Sequence, residues 1–66
     1  MDRIEEMAAF VAVAGAGTFV GAARQLGRSP AALTRAVAAL EDRLGARLFT
    51  RTTRVVSLTD AGRRYL

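Results

Sequence analysis

The side chains able to do chemistry in this chain are, above all, arginines. There are ten of them, and no lysine, histidine or cysteine. A guanidinium stays charged at any accessible pH. Its planar fork of donors matches phosphate oxygens or the O6/N7 edge of guanine. That is chemistry of recognition rather than of catalysis. Without cysteine there is no disulfide framework and no thiolate metal site, and without histidine the commonest metal ligand and general base are gone. Ser29 and Ser57 therefore have no base to activate them. The carboxylates Glu5-Glu6 and Glu41-Asp42 are sequence neighbours, which a helix turns to different faces. No glycine-rich phosphate loop follows a strand. Neither an enzyme nor a cofactor is expected.

The placement of charge sharpens this reading. Residues 1–23 hold Arg3 against Asp2, Glu5 and Glu6, a net of −2, whereas residues 24–66 hold nine arginines against Glu41, Asp42 and Asp60, a net of +6. A pI near 11.4 with one strongly basic half is the electrostatic footprint of a polyanion binder. A chain of 66 residues makes one small domain with a thin core, burying ~60% of its unfolded surface. Its 52% hydrophobic and 24% charged residues are a globular composition.

The elements that must position these arginines carry start and stop signals. Asp2 and Glu5 form a capping-box-like start, and Ile4, Met7, Phe10, Val11 and Ala14 follow at the spacing of one helical face. Gly15 and Gly17 end that helix. Thr18 caps a second helix over 19–26, with Phe19, Ala22, Ala23 and Leu26 on its apolar side, and Gly27 stops it. Ser29 caps a third, 30–44, with Pro30 at its first position and Leu33, Ala36 or Val37, Leu40 and Leu44 inward; Gly45 closes it. The run Met7–Ala23 is uncharged, but it is rich in Ala and Gly and broken by Gly15-Ala16-Gly17-Thr18, so two helices joined by a turn are expected rather than a membrane span.

Beyond Gly45 the pattern changes. Arg47–Thr50 and Val55–Leu58 are short runs of β-formers around the polar stretch Arg51-Thr52-Thr53-Arg54, a hairpin with a basic tip. Leu48, Val56 and Leu58 are the residues expected to pack it on the helices, since so small a hairpin needs a core behind it. Thr59 then caps a fourth helix, with Asp60 four residues before Arg64. The expected fold is mostly α, a winged helix-turn-helix: a three-helix core, a two-stranded β-hairpin wing, and the start of a fourth, linker helix. Residues 1–58 form the domain and 59–66 begin the linker. Small Ala22 and Ala23 let the helices approach, Leu26 plugs the core, Gly27 takes the turn and Leu33 packs back. Arg28 departs from the usual helix-turn-helix pattern, which prefers an apolar residue there.

Several stretches are similar to one family. They are Phe10–Ala14, Gly17-Thr18-Phe19, Ala22-Ala23-Arg24-Gln25-Leu26-Gly27, Leu33-Thr34-Arg35, and the run ALEDRLGARLFTRTTRVVSLTDAGRRYL over residues 39–66. Together they resemble the N-terminal DNA-binding domain of the LysR-type transcriptional regulators of bacteria, over essentially the whole chain. The resemblance implies a domain that reads double-stranded DNA in the cytoplasm. It also implies homodimerisation through the helix starting at Thr59, and a small-molecule effector bound by a further C-terminal domain. Where the family usually has Ser-Gln-Pro-Ala at the start of the recognition helix, this chain has Ser29-Pro30-Ala31-Ala32. The glutamine that family members use against a base edge is replaced by Pro30, which keeps the helix start and alters the base preference.

With helix 30–44 in the major groove, its outward positions are Pro30, Ala31, Thr34, Arg35 and Ala38. Arg35 suits a guanine or a phosphate, Thr34 a base or a phosphate, and Pro30 and Ala31 only an apolar contact such as a thymine methyl. Arg28 and Ser29 lie at a helix N-terminus, where free amides favour phosphate, although Ser29 also serves as a plain cap. On the wing, an arginine suits a narrow A·T minor groove. The family pattern makes Arg54 the groove probe and leaves Arg51 to brace the hairpin, with Thr53 a phosphate donor or a turn residue. Arg24, Arg43, Arg47, Arg63 and Arg64 are expected to be solvated or paired with Glu41, Asp42 or Asp60, and Phe10, Phe19 and Phe49 to be core. A chain with so short a fourth helix is expected to be a monomer or weak dimer. The competing expectation is a winged-helix module whose arginine surface meets an acidic protein partner.

Overall fold

The computed structural model describes residues 3–50 and 56–66. The stretch 51–55, on which the expected wing-tip contacts Arg51, Thr53 and Arg54 fall, lies outside the described residues, as does the expected cap Asp2. The order is α1 (Arg3–Ala16), α2 (Phe19–Leu26), α3 (Pro30–Leu44), β1 (Phe49–Thr50), β2 (Ser57–Leu58) and α4 (Asp60–Tyr65). The local signals at the helix ends are realised. The Thr18 hydroxyl accepts from the Gly21 amide at 2.9 Å, Ser29 from Ala32 at 3.1 Å, and Thr59 from Gly62 at 3.0 Å. Each such cap contributes about 1 kcal/mol to its helix. Gly27 stands in the left-handed region at φ 65°, a conformation that costs a side-chain-bearing residue about 1 kcal/mol or more, and it turns the chain from α2 into α3.

The three helices pack around Phe10, Val13, Ala22, Leu33, Val37 and Leu40. Alanines at 9, 22, 23 and 36 are buried and bring the helix axes together. The hairpin closes the open side. Leu48 and Phe49 are fully buried, with Val56 and Leu58 half-buried against the same core. Phe49 meets Phe10 at 5.4 Å between ring centroids and Phe19 edge-on at 6.3 Å, so one wing residue contacts two helices through its ring. The strands are antiparallel, with Phe49 opposite Leu58 and Thr50 opposite Ser57. The Val56 amide donates to the Gly17 carbonyl at 3.0 Å, which ties the returning strand to the α1–α2 turn.

Three expectations are corrected. On α1 the buried face is Glu6, Ala9, Phe10 and Val13, while Ile4 (77% exposed), Met7 and Val11 (51%) face outward. The helix is apolar on both sides, and the bulky Phe10 ring and the neutralising partner of Glu6 decide which side goes in. Leu26 does not plug the core but is 40% exposed. It is the last residue of α2, so the chain turns away at Gly27 before its side chain can be covered, and it borders a groove with Ile4, Ala8 and Arg28. Asp60 pairs with Arg63, three residues on, at 2.6 Å rather than with Arg64. Both positions are neighbours on a helix surface, and both Asp60 and Arg63 are exposed, so the pair adds little stability.

Candidate nucleic-acid interface

The candidate face is the N-terminal half of α3. Ser29 and Pro30 start the helix at its exposed end, and Leu33, Ala36, Val37 and Leu40 anchor its inner side. The anchoring leaves Pro30, Ala31, Thr34, Arg35 and Ala38 exposed on the outer side, as their spacing requires. Among the described residues no ion pair engages Arg35, so its fork is available to a ligand. The Ser29 oxygen accepts the Ala32 amide, which leaves its hydroxyl proton free to donate to a phosphate. The Thr34 hydroxyl donates to the Pro30 carbonyl at 3.0 Å, one turn back along the helix.

Arg28 is placed differently from its neighbours. Its Nη2 donates to Glu5 Oε1 at 2.8 Å, across the groove between the α2–α3 turn and α1. The two side chains remain 45% and 42% exposed, so solvent screens the pair and the contact is weak. Arg43, expected to be solvated or paired with Glu41, Asp42 or Asp60, reaches instead to α1 and donates to Glu6 Oε2 at 3.0 Å. Glu6 is buried, and the arginine offsets a charge that would otherwise be unsupported.

Glu41 braces the base of the wing. It is buried in α3, and its Oε2 accepts the Leu48 amide at 2.8 Å and the Phe49 amide at 3.4 Å. One carboxylate thus fixes the first wing strand against α3. A signal for this was present: Val37, Leu40, Glu41 and Leu44 share the spacing of one helical stripe, which put an acid on the inner face. The same holds for Glu6 beside Phe10 and Val13. At the far end of the wing, the Thr59 hydroxyl donates to the Arg47 carbonyl at 2.5 Å, while its amide donates to the Leu48 carbonyl at 3.0 Å. The base of the wing is held from α3 on one side and from the start of α4 on the other.

Among the described residues there is no cluster of acidic side chains suited to a metal ion, and no helix is long and apolar enough to cross a membrane. A three-helix core, a helix-turn-helix with an exposed capped second helix, and a hairpin braced against it define a winged helix-turn-helix domain. The family model described as "Bacterial regulatory helix-turn-helix protein, lysR family" matches residues 4–63. The chain belongs to that family. It is 43% identical over 65 residues to the HTH-type transcriptional activator AaeR of Escherichia coli K12, covering 98% of this chain and 21% of AaeR. It is 48% identical over 65 residues to the HTH-type transcriptional repressor PA14_22550 of Pseudomonas aeruginosa, covering 98% of this chain and 20% of that protein. The crystal structure of the CbnR DBD–DNA complex superposes with a TM-score of 0.93 at 39% identity, covering all of this chain and 75% of that one. The chain spans about a fifth of the length of these two regulators.

Proposed function

We propose that this chain is the DNA-reading domain of a cytoplasmic transcription regulator and binds double-stranded DNA sequence-specifically. In this reading α3 enters the major groove, with Pro30, Ala31, Thr34 and Arg35 toward the bases and Arg28 and Ser29 toward a phosphate at the helix start. Arg51, Thr53 and Arg54 reach the adjacent minor groove or backbone. The observation that carries the reading is the outer face of α3, exposed along Pro30, Ala31, Thr34, Arg35 and Ala38 with Arg35 unengaged by any described acid, on a fold shared with a domain solved in complex with DNA. The domain needs no cofactor and performs no reaction. An effector, where there is one, acts through a part of the regulator beyond this chain, and the assembled regulator is a homodimer on two half-sites.

The test is enrichment of a random duplex pool by the chain at near-physiological salt, followed by sequencing. A recurring half-site is expected, and its affinity should fall steeply as salt rises, because phosphate contacts release counterions. Replacing Arg35→Ala should cost about 1–3 kcal/mol on that site and relax its guanine preference. Recovery of an unselected pool, with Arg35→Ala binding as well as the parent, would overturn the reading. Salt-insensitive capture of an acidic protein alone would favour the protein-partner alternative.

A further inference from the structure

We infer that Thr34 reads DNA with its methyl group rather than its hydroxyl, so that the face of α3 is an apolar surface for thymine C5-methyl groups around a single guanidinium. The inference rests on α3 being the groove-entering helix. Its carrying observation is the hydrogen bond from Thr34 Oγ1 to the Pro30 carbonyl at 3.0 Å. That bond turns the hydroxyl toward the helix backbone and uses its only proton. What this exposed side chain keeps for a partner is the Cγ2 methyl and an oxygen that can only accept, and of these the methyl is the group that matches the apolar Pro30, Ala31 and Ala38 beside it. Pro30, Ala31 and Ala38, exposed on the same face, have no side-chain polar atom at all. Arg35 is then the one donor on the face, and the structure pairs it with no described acid.

The chemistry of the ligand follows. In the major groove the apolar feature of a base pair is the thymine methyl, and the bidentate acceptor for an arginine is guanine O6/N7. Residues 30–38 rise about 12 Å along the helix, which matches roughly three to four base-pair steps. The half-site is therefore a guanine flanked by thymines on the strands that face Ala31 and Thr34. The small side chains at Ala31 and Ala38 also let the helix backbone approach the base edges closely, which a methyl contact needs and a long polar side chain would prevent.

The experiment takes the best duplex enriched from the random pool and remakes it with deoxyuridine in place of thymidine, which deletes only the C5-methyl groups. Each contacted methyl should be worth about fourfold in affinity, as for the burial of one methylene. Two variants then separate the two ends of Thr34. Thr34→Val keeps the methyl and loses the hydroxyl, and it should keep both the affinity and the thymidine-over-deoxyuridine preference. Thr34→Ser keeps the hydroxyl and loses the methyl, and it should lose that preference at one position. Both substitutions are on an exposed helix surface, and circular dichroism checks that each variant is folded. Equal binding of the thymidine and deoxyuridine duplexes overturns the inference. So does a tenfold loss with Thr34→Val alongside an unaffected Thr34→Ser, because the oxygen would then be accepting from an adenine or cytosine amine. Either outcome leaves specific DNA binding standing. Failure to enrich any duplex removes the reading of α3 on which the inference depends.

Discussion

Arg28 and Arg35 lie seven residues apart and have opposite surroundings. Arg35 projects from the outer side of α3 with no described acid against it, while Arg28 is held by Glu5 at 2.8 Å. Sequence pattern made both of them DNA contacts, and spacing alone could not separate them, because the acid that engages Arg28 comes from another helix, twenty-three residues away. Glu5→Gln should release Arg28 and raise the local positive charge by one. Binding to any duplex should tighten at low salt, with the slope of log affinity against log salt steeper by up to about one. Thermal stability should shift by less than about 1 kcal/mol, since the lost ion pair is exposed. Titrations at two or more salt concentrations check this, and an unchanged slope would mean that Arg28 never meets a phosphate.

At the scale of elements, the helices whose two ends carry local signals were legible, and α2 and α3 run from Phe19 to Leu26 and from Pro30 to Leu44 as their caps require. Which way α1 faces was not, because Ile4, Met7 and Val11 are as apolar as Ala9, Phe10 and Val13, and only packing against α3 decides between them. The bracing of the wing was hidden for a related reason. The inner stripe of α3 marks Glu41 as buried, but its partners, like those of Thr59, are backbone groups at 47–49, and backbone partners leave no mark in side-chain pattern. Gly62 is the third part of that brace. A Cβ built there would collide with the Leu48 carbonyl oxygen and stand 2.8 Å from Leu58 Cδ2, so α4 lies directly on the base of the wing. Alanine in an open helix would favour folding over glycine by up to about 1 kcal/mol. Here Gly62→Ala should instead lower the melting temperature, because Leu48 is fully buried and its carbonyl cannot retreat. Thermal unfolding followed by circular dichroism reads the sign directly. A raised melting temperature would show that α4 rides free of the wing.

The whole molecule sets the exposed outer face of α3 apart from a helix, α1, whose outer surface is apolar. Ile4, Met7 and Val11 on α1 are exposed, and so are Tyr65 and Leu66 at the end of α4. In this chain α4 spans six residues, a length of about 9 Å. A stable dimer buries on the order of 1,200 Å² or more in total, with well-packed apolar contacts at its centre. The whole domain exposes 4235 Å², and a helix of under two turns offers only a small part of what such an interface requires. The 66-residue chain should therefore sediment as a monomer or a weakly associating dimer at micromolar concentration. Its affinity for one half-site should be near that for an inverted repeat of two, because without a stable dimer the second half-site adds no effective concentration. Lengthening α4 until two copies associate should then raise affinity for the repeat by tens-fold or more while leaving the single half-site unchanged. A tight dimer of the 66-residue chain in sedimentation velocity would reverse that expectation and direct attention to the outer surface of α1 as the contact.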